Sequence, residues 1–180
     1  FAVTRLAARV LYGAEGVRPR SHQALLVSMG EERWVVDVGF GGNGLHEPFL
    51  LTIGHEQQQG ADRFRLVTDG RGDYLLQCEI DGAWEDLYSF TLEPNLPVDY
   101  TFANYYHSHS PDSLFTQRLI CTMPTLTGRK IFTDRRLKIR SDGATRELHV
   151  NDEKECRQLL QEHFGLTIKD DLSLSGKGCR

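Results

Sequence analysis

The chain has 180 residues, 39% of them hydrophobic and 26% charged, a composition that suits a globular protein able to bury its own core. A formal net charge of −4 and a pI near 6.0 exclude the basic field that nucleic acid or an anionic membrane attracts. No apolar run approaches the roughly 20 residues that span a bilayer, so we expect a cytoplasmic protein. The four cysteines match no CxxC spacing, and we predict reduced thiols and no metal site.

The first half of the chain predicts antiparallel strands. An apolar stretch over residues 1–12 is followed by glycine and proline punctuation, and a hairpin comes next. Dipeptides such as Asp81-Gly82 separate the later segments as turn signals. The strand-like segments are residues 22–28, 33–38, 64–68, 74–80 and 84–90. Their spacing is typical of an antiparallel barrel or sandwich.

The second half predicts a mixture of helices and strands. Residues 99–109 are aromatic-rich and predict a helix that ends before Pro111. A last helix is predicted from apolar residues at helical spacing, with Asn151 as its N-cap and Gly165 as its end. The strand-like segments between the two helices are residues 119–123, 130–133, 136–140 and 145–150.

A histidine and an aspartate lie on the predicted hairpin, where their side chains can meet. A two-residue turn at Met29-Gly30 would set His22 directly opposite Asp37, with Cβ atoms about 4.5–5.5 Å apart. A longer loop through Glu32 would shift the register by two residues and leave the pair on a diagonal that a histidine can still bridge. We therefore predict a hydrogen bond between the two side chains. A carboxylate in this position fixes the ring tautomer and stabilises the imidazolium.

Other features of the sequence leave more than one interpretation open. A histidine and an aspartate at this spacing also occur as a purely structural pair. The glycine-rich turn at residues 40–44 favours a site, because glycines let backbone approach a ligand. His107 and His109 have an HxH spacing without a third ligand cluster. The basic residues from Arg135 to Arg140 can attract phosphates or form a solvated strand face.

Two strings of the hairpin carry a family resemblance. PRSHQALLV and WVVDVGFGG resemble the histidine and aspartate motifs of arylamine N-acetyltransferases. The opening FAVTRLAARV resembles the segment after that family's cysteine motif, and residues 88–120 resemble the entry into its third domain. RQLLQEHFGL resembles its late helix. The resemblance covers residues 1–166.

The resemblance implies an α+β fold. It implies an antiparallel β-barrel domain over residues 1–99, which carries both motifs, and an interdomain segment over residues 100–118. A small α/β lid domain would follow over residues 119–168, and a flexible tail over residues 169–180. The family's N-terminal helical domain, which bears the catalytic cysteine, would then lie upstream of Phe1 and be missing from this chain.

The resemblance also implies a chemistry. Family members transfer acetyl from acetyl-CoA to arylamines or arylhydrazines by a ping-pong Cys-His-Asp mechanism, with no bound cofactor. His22 would activate the thiol, and Asp37 would orient His22. The partners implied are acetyl-CoA, an aromatic amine or hydrazine, and the missing N-terminal domain.

The neighbours of the pair receive substrate roles by the same resemblance. Phe40 would lie against the aromatic ring of the acceptor, with Gly39 and Gly41 near the acyl site. Ser21 would lie near the coenzyme as a cofactor-binding residue.

None of the four cysteines has the family's RGGxCFE-like context, so we expect no acetyl transfer from this chain by itself. Three other interpretations stay open. One is a related amide synthase with the same triad, and the second is a non-catalytic fragment or split subunit. The third is a Cys-His-Asp hydrolase of transglutaminase-like ancestry.

Overall fold

The protein is described by a computed structural model that covers residues 1–169, 171–172 and 174. The chain divides into two compact units, Phe1–Asn104 and Tyr105–Arg180. Within the described residues, the first unit is built on an eight-stranded antiparallel sheet and the second on a four-stranded one. The predicted α+β class, with a nearly closed antiparallel barrel followed by a smaller sheet, is confirmed. Over the same residues, no helix combines the length and the apolar character that a membrane span requires.

The strands of the first unit follow one another around the barrel in the order β4-β3-β2-β1-β8-β7-β6-β5. Every neighbouring pair is antiparallel, and glycines with positive φ, such as Gly82 at +81°, close several of the hairpins. The bounds are β1 Ala2–Val10, β2 Arg20–Met29, β3 Glu32–Val36, β4 Phe49–Leu50, β5 Glu56–Gln59, β6 Asp62–Thr68, β7 Tyr74–Ile80 and β8 Ala83–Phe90.

Alternate residues of these strands point into the barrel and form its core. Along β1, Leu6 and Ala8 are fully buried, while the intervening positions are more accessible. Large side chains complete the core, among them Phe49, Phe64 and Tyr88, each with no exposed surface. This packing fixes the inner face of β2, which carries His22.

The register of the β2–β3 hairpin does not place His22 directly opposite Asp37. Met29 pairs with Glu32, so the two turn residues are Gly30 and Glu31, and the turn predicted at Met29-Gly30 is wrong. The physical reason is turn chemistry: Gly30 has φ of +61°, and a two-residue hairpin of the II′ kind takes its glycine at the first turn position. The shift is two residues, so His22 and Asp37 lie on the diagonal.

Strand β5 was not predicted from the sequence. Its residues, EQQQ, show no alternation of apolar and polar side chains, and glutamate is depleted in strands. The strand forms through its ladder with β6, in which Gln59 pairs with Asp62.

Among its described residues, the second unit contains a four-stranded sheet in the order β12-β11-β10-β9 and the helices α2 and α3. Helix α1, Thr101–His109, begins just before this unit, and α2, Leu114–Gln117, follows it. Phe132, Leu137, Cys156 and Leu160 lie at the centre of its core. The remaining elements are β9 Ile120–Thr125, β10 Gly128–Thr133, β11 Arg136–Ser141, β12 Ala144–His149 and α3 Glu153–Phe164.

Both ends of α3 are capped by identifiable residues. The predicted N-cap, Asn151, is wrong by one residue: the Asp152 side chain accepts a hydrogen bond from Glu155 N–H, 2.8 Å away. The Glu155 side chain in turn accepts a hydrogen bond from the Asn151 N–H. The helix therefore begins where the Asp152 and Glu155 carboxylates can both accept from backbone N–H groups. Gly165 ends α3 in the left-handed conformation, as predicted, with φ of +69°.

The segment after α3 is held partly by Arg157. Its guanidinium donates to the Ile168 and Lys169 carbonyls at 3.1 and 2.9 Å. Leu174, inside the tail predicted to be flexible, is buried in the core of the second unit. Residues 170, 173 and 175–180, with Cys179 among them, lie outside the described residues.

Candidate functional site

His22 and Asp37 form a hydrogen-bonded pair, as the hairpin predicts. His22 lies on β2, and Asp37 follows directly on the end of β3. The distance between His22 Nε2 and Asp37 Oδ2 is 2.6 Å, the side chain of His22 is 12% exposed, and that of Asp37 is fully buried. Because the pair is diagonal, Gly39 lies beside the ring: a Cβ built on it would be 3.9 Å from His22 Cε1.

The backbone after β3 fixes the Asp37 carboxylate. Its Oδ1 accepts hydrogen bonds from Gly39 N–H at 2.9 Å and Phe40 N–H at 3.0 Å, while Oδ2 faces His22. Burial acts to raise the pKa of Asp37, but the hydrogen bond and charge of His22, with the two backbone donors, outweigh it and lower the pKa. Asp37 is therefore ionised at neutral pH and can only accept.

The ionised carboxylate assigns the tautomer of His22. Because Asp37 has no proton to donate, His22 Nε2 carries the hydrogen of the 2.6 Å bond. The other ring nitrogen, Nδ1, then holds a lone pair in the neutral imidazole. The arrangement can remove a proton from a group placed at Nδ1 and stabilise the resulting imidazolium.

Two aromatic rings surround the imidazole. The Phe40 ring meets it edge-on at 5.4 Å between centroids, and the Tyr88 ring lies at 5.2 Å. Tyr88 is fully buried, and within the part of the chain that the structure describes its hydroxyl makes no hydrogen bond of ordinary geometry. Burial, then the neighbouring charge of Asp37 and a hydrogen-bonding contact with its carboxylate, raise the pKa of Tyr88 well above its ordinary value. Sequence reasoning missed Tyr88, because β8 reaches the site only through its long-range pairing with β1.

The glycine-rich turn shapes the loop that carries Phe40. Gly41 and Gly42 have φ of +67° and +40°, a region that residues with a Cβ rarely adopt. A Cβ on Gly44 would lie 2.9 Å from Phe40 Cβ, so only glycine allows the loop to fold back against Phe40. The structure thus brings Gly39 and Phe40 beside the histidine, and Gly41 follows directly on Phe40 in the loop.

Ser21 occupies a β-bulge next to His22. In the ladder between β1 and β2, Ala8 pairs with His22 and Arg9 pairs with Arg20, so Ser21 has no opposing residue. A bulge bends its strand and re-aims the neighbouring side chains, and bulges occur frequently beside active sites. The sequence gives no signal for this bulge, because it depends on the pairing partner.

The described cysteines lie in three different environments. Cys78 is 1% exposed in the core of the first unit, and Cys156 is fully buried in that of the second. Cys121 lies half-buried on β9, where burial raises the pKa of its thiol. All three environments disfavour a reactive thiolate.

The remaining candidates have structural contacts of their own. In the second unit, His109 stacks on Tyr105 at 4.5 Å between ring centroids. His107 meets Phe115 edge-on at 5.2 Å. Among the basic residues of β11, Arg136 and Lys138 both form ion pairs with Glu147, at 3.6 and 3.7 Å.

Comparison with known proteins adds a family assignment to this geometry. A family model described as N-acetyltransferase matches residues 1–173. Arylamine N-acetyltransferase from Mycolicibacterium smegmatis is 31% identical over an alignment of 175 residues that covers 94% of this chain and 63% of that protein. A Salmonella typhimurium relative, named arylamine N-acetyltransferase / N-hydroxyarylamine O-acetyltransferase, is 32% identical over an alignment of 177 residues that covers 94% of this chain and 61% of that protein. The chain thus spans a little over three fifths of the relatives' length.

Solved structures of the same family superpose on this fold. Arylamine N-acetyltransferase from Salmonella typhimurium matches with a TM-score of 0.86 and 31% identity, over 95% of this chain and 63% of that one. The Mycobacterium marinum enzyme, solved in complex with CoA, matches with a TM-score of 0.83 and 28% identity, over 91% of this chain and 62% of that one. With the family model over residues 1–173, these matches establish that the chain belongs to the arylamine N-acetyltransferase family.

Proposed function

We propose that this chain supplies the histidine and aspartate of a Cys-His-Asp acetyltransferase that moves acetyl from acetyl-CoA to an arylamine or arylhydrazine. The observation that carries the proposal is the 2.6 Å hydrogen bond between His22 Nε2 and Asp37 Oδ2. A buried, ionised carboxylate holds the ring in the tautomer whose Nδ1 can accept a proton. A thiol placed at Nδ1 is thereby activated, since an adjacent histidine lowers a cysteine pKa by several units.

The acetyl transfer proceeds in two half-reactions. His22 Nδ1 takes the proton of the cysteine thiol, and the sulfur attacks the thioester carbonyl of acetyl-CoA. The bond to the coenzyme sulfur breaks, and the coenzyme leaves as a thiol with the proton from His22. The amine nitrogen then attacks the acetyl-cysteine thioester and gives a proton to His22, and the cysteine sulfur leaves. Asp37 stabilises the imidazolium in both halves.

The nucleophile, in this proposal, is none of the three described cysteines. Cys78 and Cys156 are buried in hydrophobic cores, and Cys121 has a raised thiol pKa, so none is suited to attack a thioester. We assign the nucleophile to the part of the family's chain that these 180 residues do not match. The chain alone would then bind substrates without turnover.

The substrate roles extend the same proposal. The Phe40 ring, edge-on to His22, would contact the aromatic ring of the acceptor, and Gly39 and Gly41 leave room for the acetyl group. Ser21, on the bulge before His22, would contact the coenzyme. Residues 1–99 would form the β-barrel domain that carries the His/Asp motifs, and residues 119–168 the small α/β lid domain.

Coenzyme release tests the proposal. The chain is incubated with acetyl-CoA and 4-aminobenzoate, alone and with the unmatched segment of the Salmonella typhimurium relative, and free thiol is followed over time. We expect release at background for the chain alone and restored turnover with the added segment. His22→Ala should abolish the restored turnover. The matched control is His149→Ala, which replaces an exposed histidine on β12 and should retain the restored turnover.

Three outcomes would contradict the proposal. Full turnover of the restored His22→Ala protein would remove the histidine from the mechanism. Turnover of the chain alone would place the nucleophile among its own cysteines. Coenzyme binding without turnover in the restored protein would favour a non-catalytic role.

A further inference from the structure

The loop between β3 and β4 carries Phe40, and one buried side chain holds the far end of this loop. We propose that Gln59 is a positioning residue, which sets Phe40 against His22 by anchoring the backbone of His46 and Glu47. The part of this inference that concerns acceptor binding rests on the proposed function. The part that concerns the geometry of the loop does not.

Gln59 binds the loop in the way that a neighbouring strand would. Its side chain is almost fully buried, since the residue is 1% exposed. Oε1 accepts from His46 N–H at 2.8 Å and Glu47 N–H at 3.0 Å, and Nε2 donates to the Glu47 carbonyl at 3.0 Å. The side-chain amide of Gln59 therefore provides a hydrogen-bond partner for three backbone groups of the loop.

Two neighbours strengthen this anchor. Gln57, on the same face of β5, donates from Nε2 to the Pro48 carbonyl at 3.1 Å. The His46 ring is bound to Asp62, with 2.9 Å between Nε2 and Oδ2, and Asp62 pairs with Gln59 across the β5–β6 turn. Glutamine side chains thus take the place of a backbone ladder where the barrel would close between β4 and β5.

The anchor is mechanically connected to Phe40. Gly44, two residues before His46, packs so closely that a Cβ on it would lie 2.9 Å from Phe40 Cβ. The Gly44 N–H donates to the Gly41 carbonyl at 2.7 Å, and this hydrogen bond closes a turn directly after Phe40. The other end of the loop is fixed by Asp37. A displacement of residues 46–47 must therefore move Gly44, and with it the Phe40 ring beside His22.

The test compares two adjacent glutamines by NMR spectroscopy of the chain. Gln59→Leu removes all three anchoring hydrogen bonds. Gln58→Leu is the matched control, because Gln58 is exposed and, among the described residues, donates only to the Gly60 and Asp62 carbonyls. We expect Gln59→Leu to shift the Gly41 and Gly44 amides and the His22 Hε1, which senses the ring currents of Phe40 and Tyr88. Gln58→Leu should leave these resonances in place.

A kinetic arm addresses acceptor binding in the restored acetyltransferase. Gln59→Leu should raise the acceptor KM roughly fivefold to tenfold and leave acetylation of the enzyme by acetyl-CoA within about twofold, because only the acceptor meets Phe40. If Gln59→Leu instead caused a general loss of structure, the rates of both half-reactions would fall together. Absence of His22-dependent transfer in the wild-type protein would count against the proposed function alone, and the spectra would still decide the positioning role.

Two results would overturn the inference. One is a folded Gln59→Leu protein whose loop and His22 resonances match those of Gln58→Leu. If Gln59→Leu does not fold by circular dichroism, Gln59→Glu replaces it, since its carboxylate keeps both acceptor bonds and loses only the donation to Glu47. Unchanged loop resonances in Gln59→Glu would then refute the anchor, whereas smaller shifts of the same resonances would support it.

Discussion

Replacing Asp37 by asparagine separates its catalytic contribution from its structural one. The amide oxygen of Asp37→Asn can still accept from Gly39 N–H and Phe40 N–H, so the loop keeps its anchor. The amide NH₂ then faces His22 and donates to Nε2, which was itself the donor in the wild type. His22 must carry its proton on Nδ1 instead, where it can no longer take one from a thiol.

The structure sets the two magnitudes far apart. The hydrogen bond to His22 and the two backbone bonds to Oδ1 all lose the charge of their acceptor, and each falls from about 1.5–3 to about 0.5–1.5 kcal/mol. Because the neutral amide costs less to bury than the carboxylate, the free energy of unfolding should fall by only about 1–3 kcal/mol. The equivalent change in a Ser-His-Asp protease lowers kcat about 10⁴-fold, because the tautomer is wrong. That factor is about 5 kcal/mol of activation free energy. Acetyl transfer in the restored enzyme should therefore collapse while the fold persists.

The tautomer itself can be measured without turnover. Nitrogen-15 NMR of the histidine rings should show the proton of His22 on Nε2 in the wild type and on Nδ1 in Asp37→Asn. Asp62→Asn is the matched control, because it alters the other His–Asp pair, at His46, and should leave the tautomer of His22 unchanged. An Asp37→Asn protein that keeps the Nε2–H tautomer would refute the reasoning, as would one with near-normal acetyl transfer.

Three further predictions concern stability. Because the folded-state pKa of Asp37 is lowered, its contribution is present above the unfolded pKa of about 3.9 and lost as pH falls through the folded value. Urea unfolding should therefore show a constant gap between wild type and Asp37→Asn from pH 7 to about pH 5 and a shrinking gap as the pH falls below about 4. A gap that stays constant down to about pH 3 would contradict the shift. Tyr88→Phe should change the free energy of unfolding by less than about 1 kcal/mol, since the hydroxyl makes no hydrogen bond of ordinary geometry among the described residues; a loss above about 2 kcal/mol would show that its contact with the Asp37 carboxylate stabilises the fold. Gly165→Ala should cost about 1–2 kcal/mol at its left-handed φ of +69°, whereas Gly70→Ala, with open space and an ordinary φ, should be nearly neutral in thermal unfolding.

The fold could be predicted where the signal is local. The strands of the first hairpin and the helix that ends at Gly165 follow from alternation, helical spacing and caps within a few residues of one another. Strand β5 could not be predicted, because EQQQ becomes a strand only by pairing with β6. The directly opposed register of the hairpin was wrong. Gly30 adopts a positive φ, which makes it the first of the two turn residues rather than the second.

The candidate site divides in the same way. His22 and Asp37 are joined by one short hairpin, so their contact was within reach of sequence reasoning even with the wrong register. Tyr88 comes from a strand far along the chain, and only the β1–β8 ladder places its ring against the imidazole. The bulge at Ser21 likewise depends on the pairing of β2 with β1, which leaves Ser21 without an opposing residue.

The way in which Asp37 is held has a consequence for how this site can be diversified. Its Oδ1 binds main-chain N–H groups at positions 39 and 40, which every amino acid except proline provides. The side chain at position 40 can therefore be exchanged without removing a ligand of the carboxylate. A library at this position should explore ring sizes and polarities beside His22 while the histidine keeps its orientation, so that recognition and proton transfer can be engineered as separate modules.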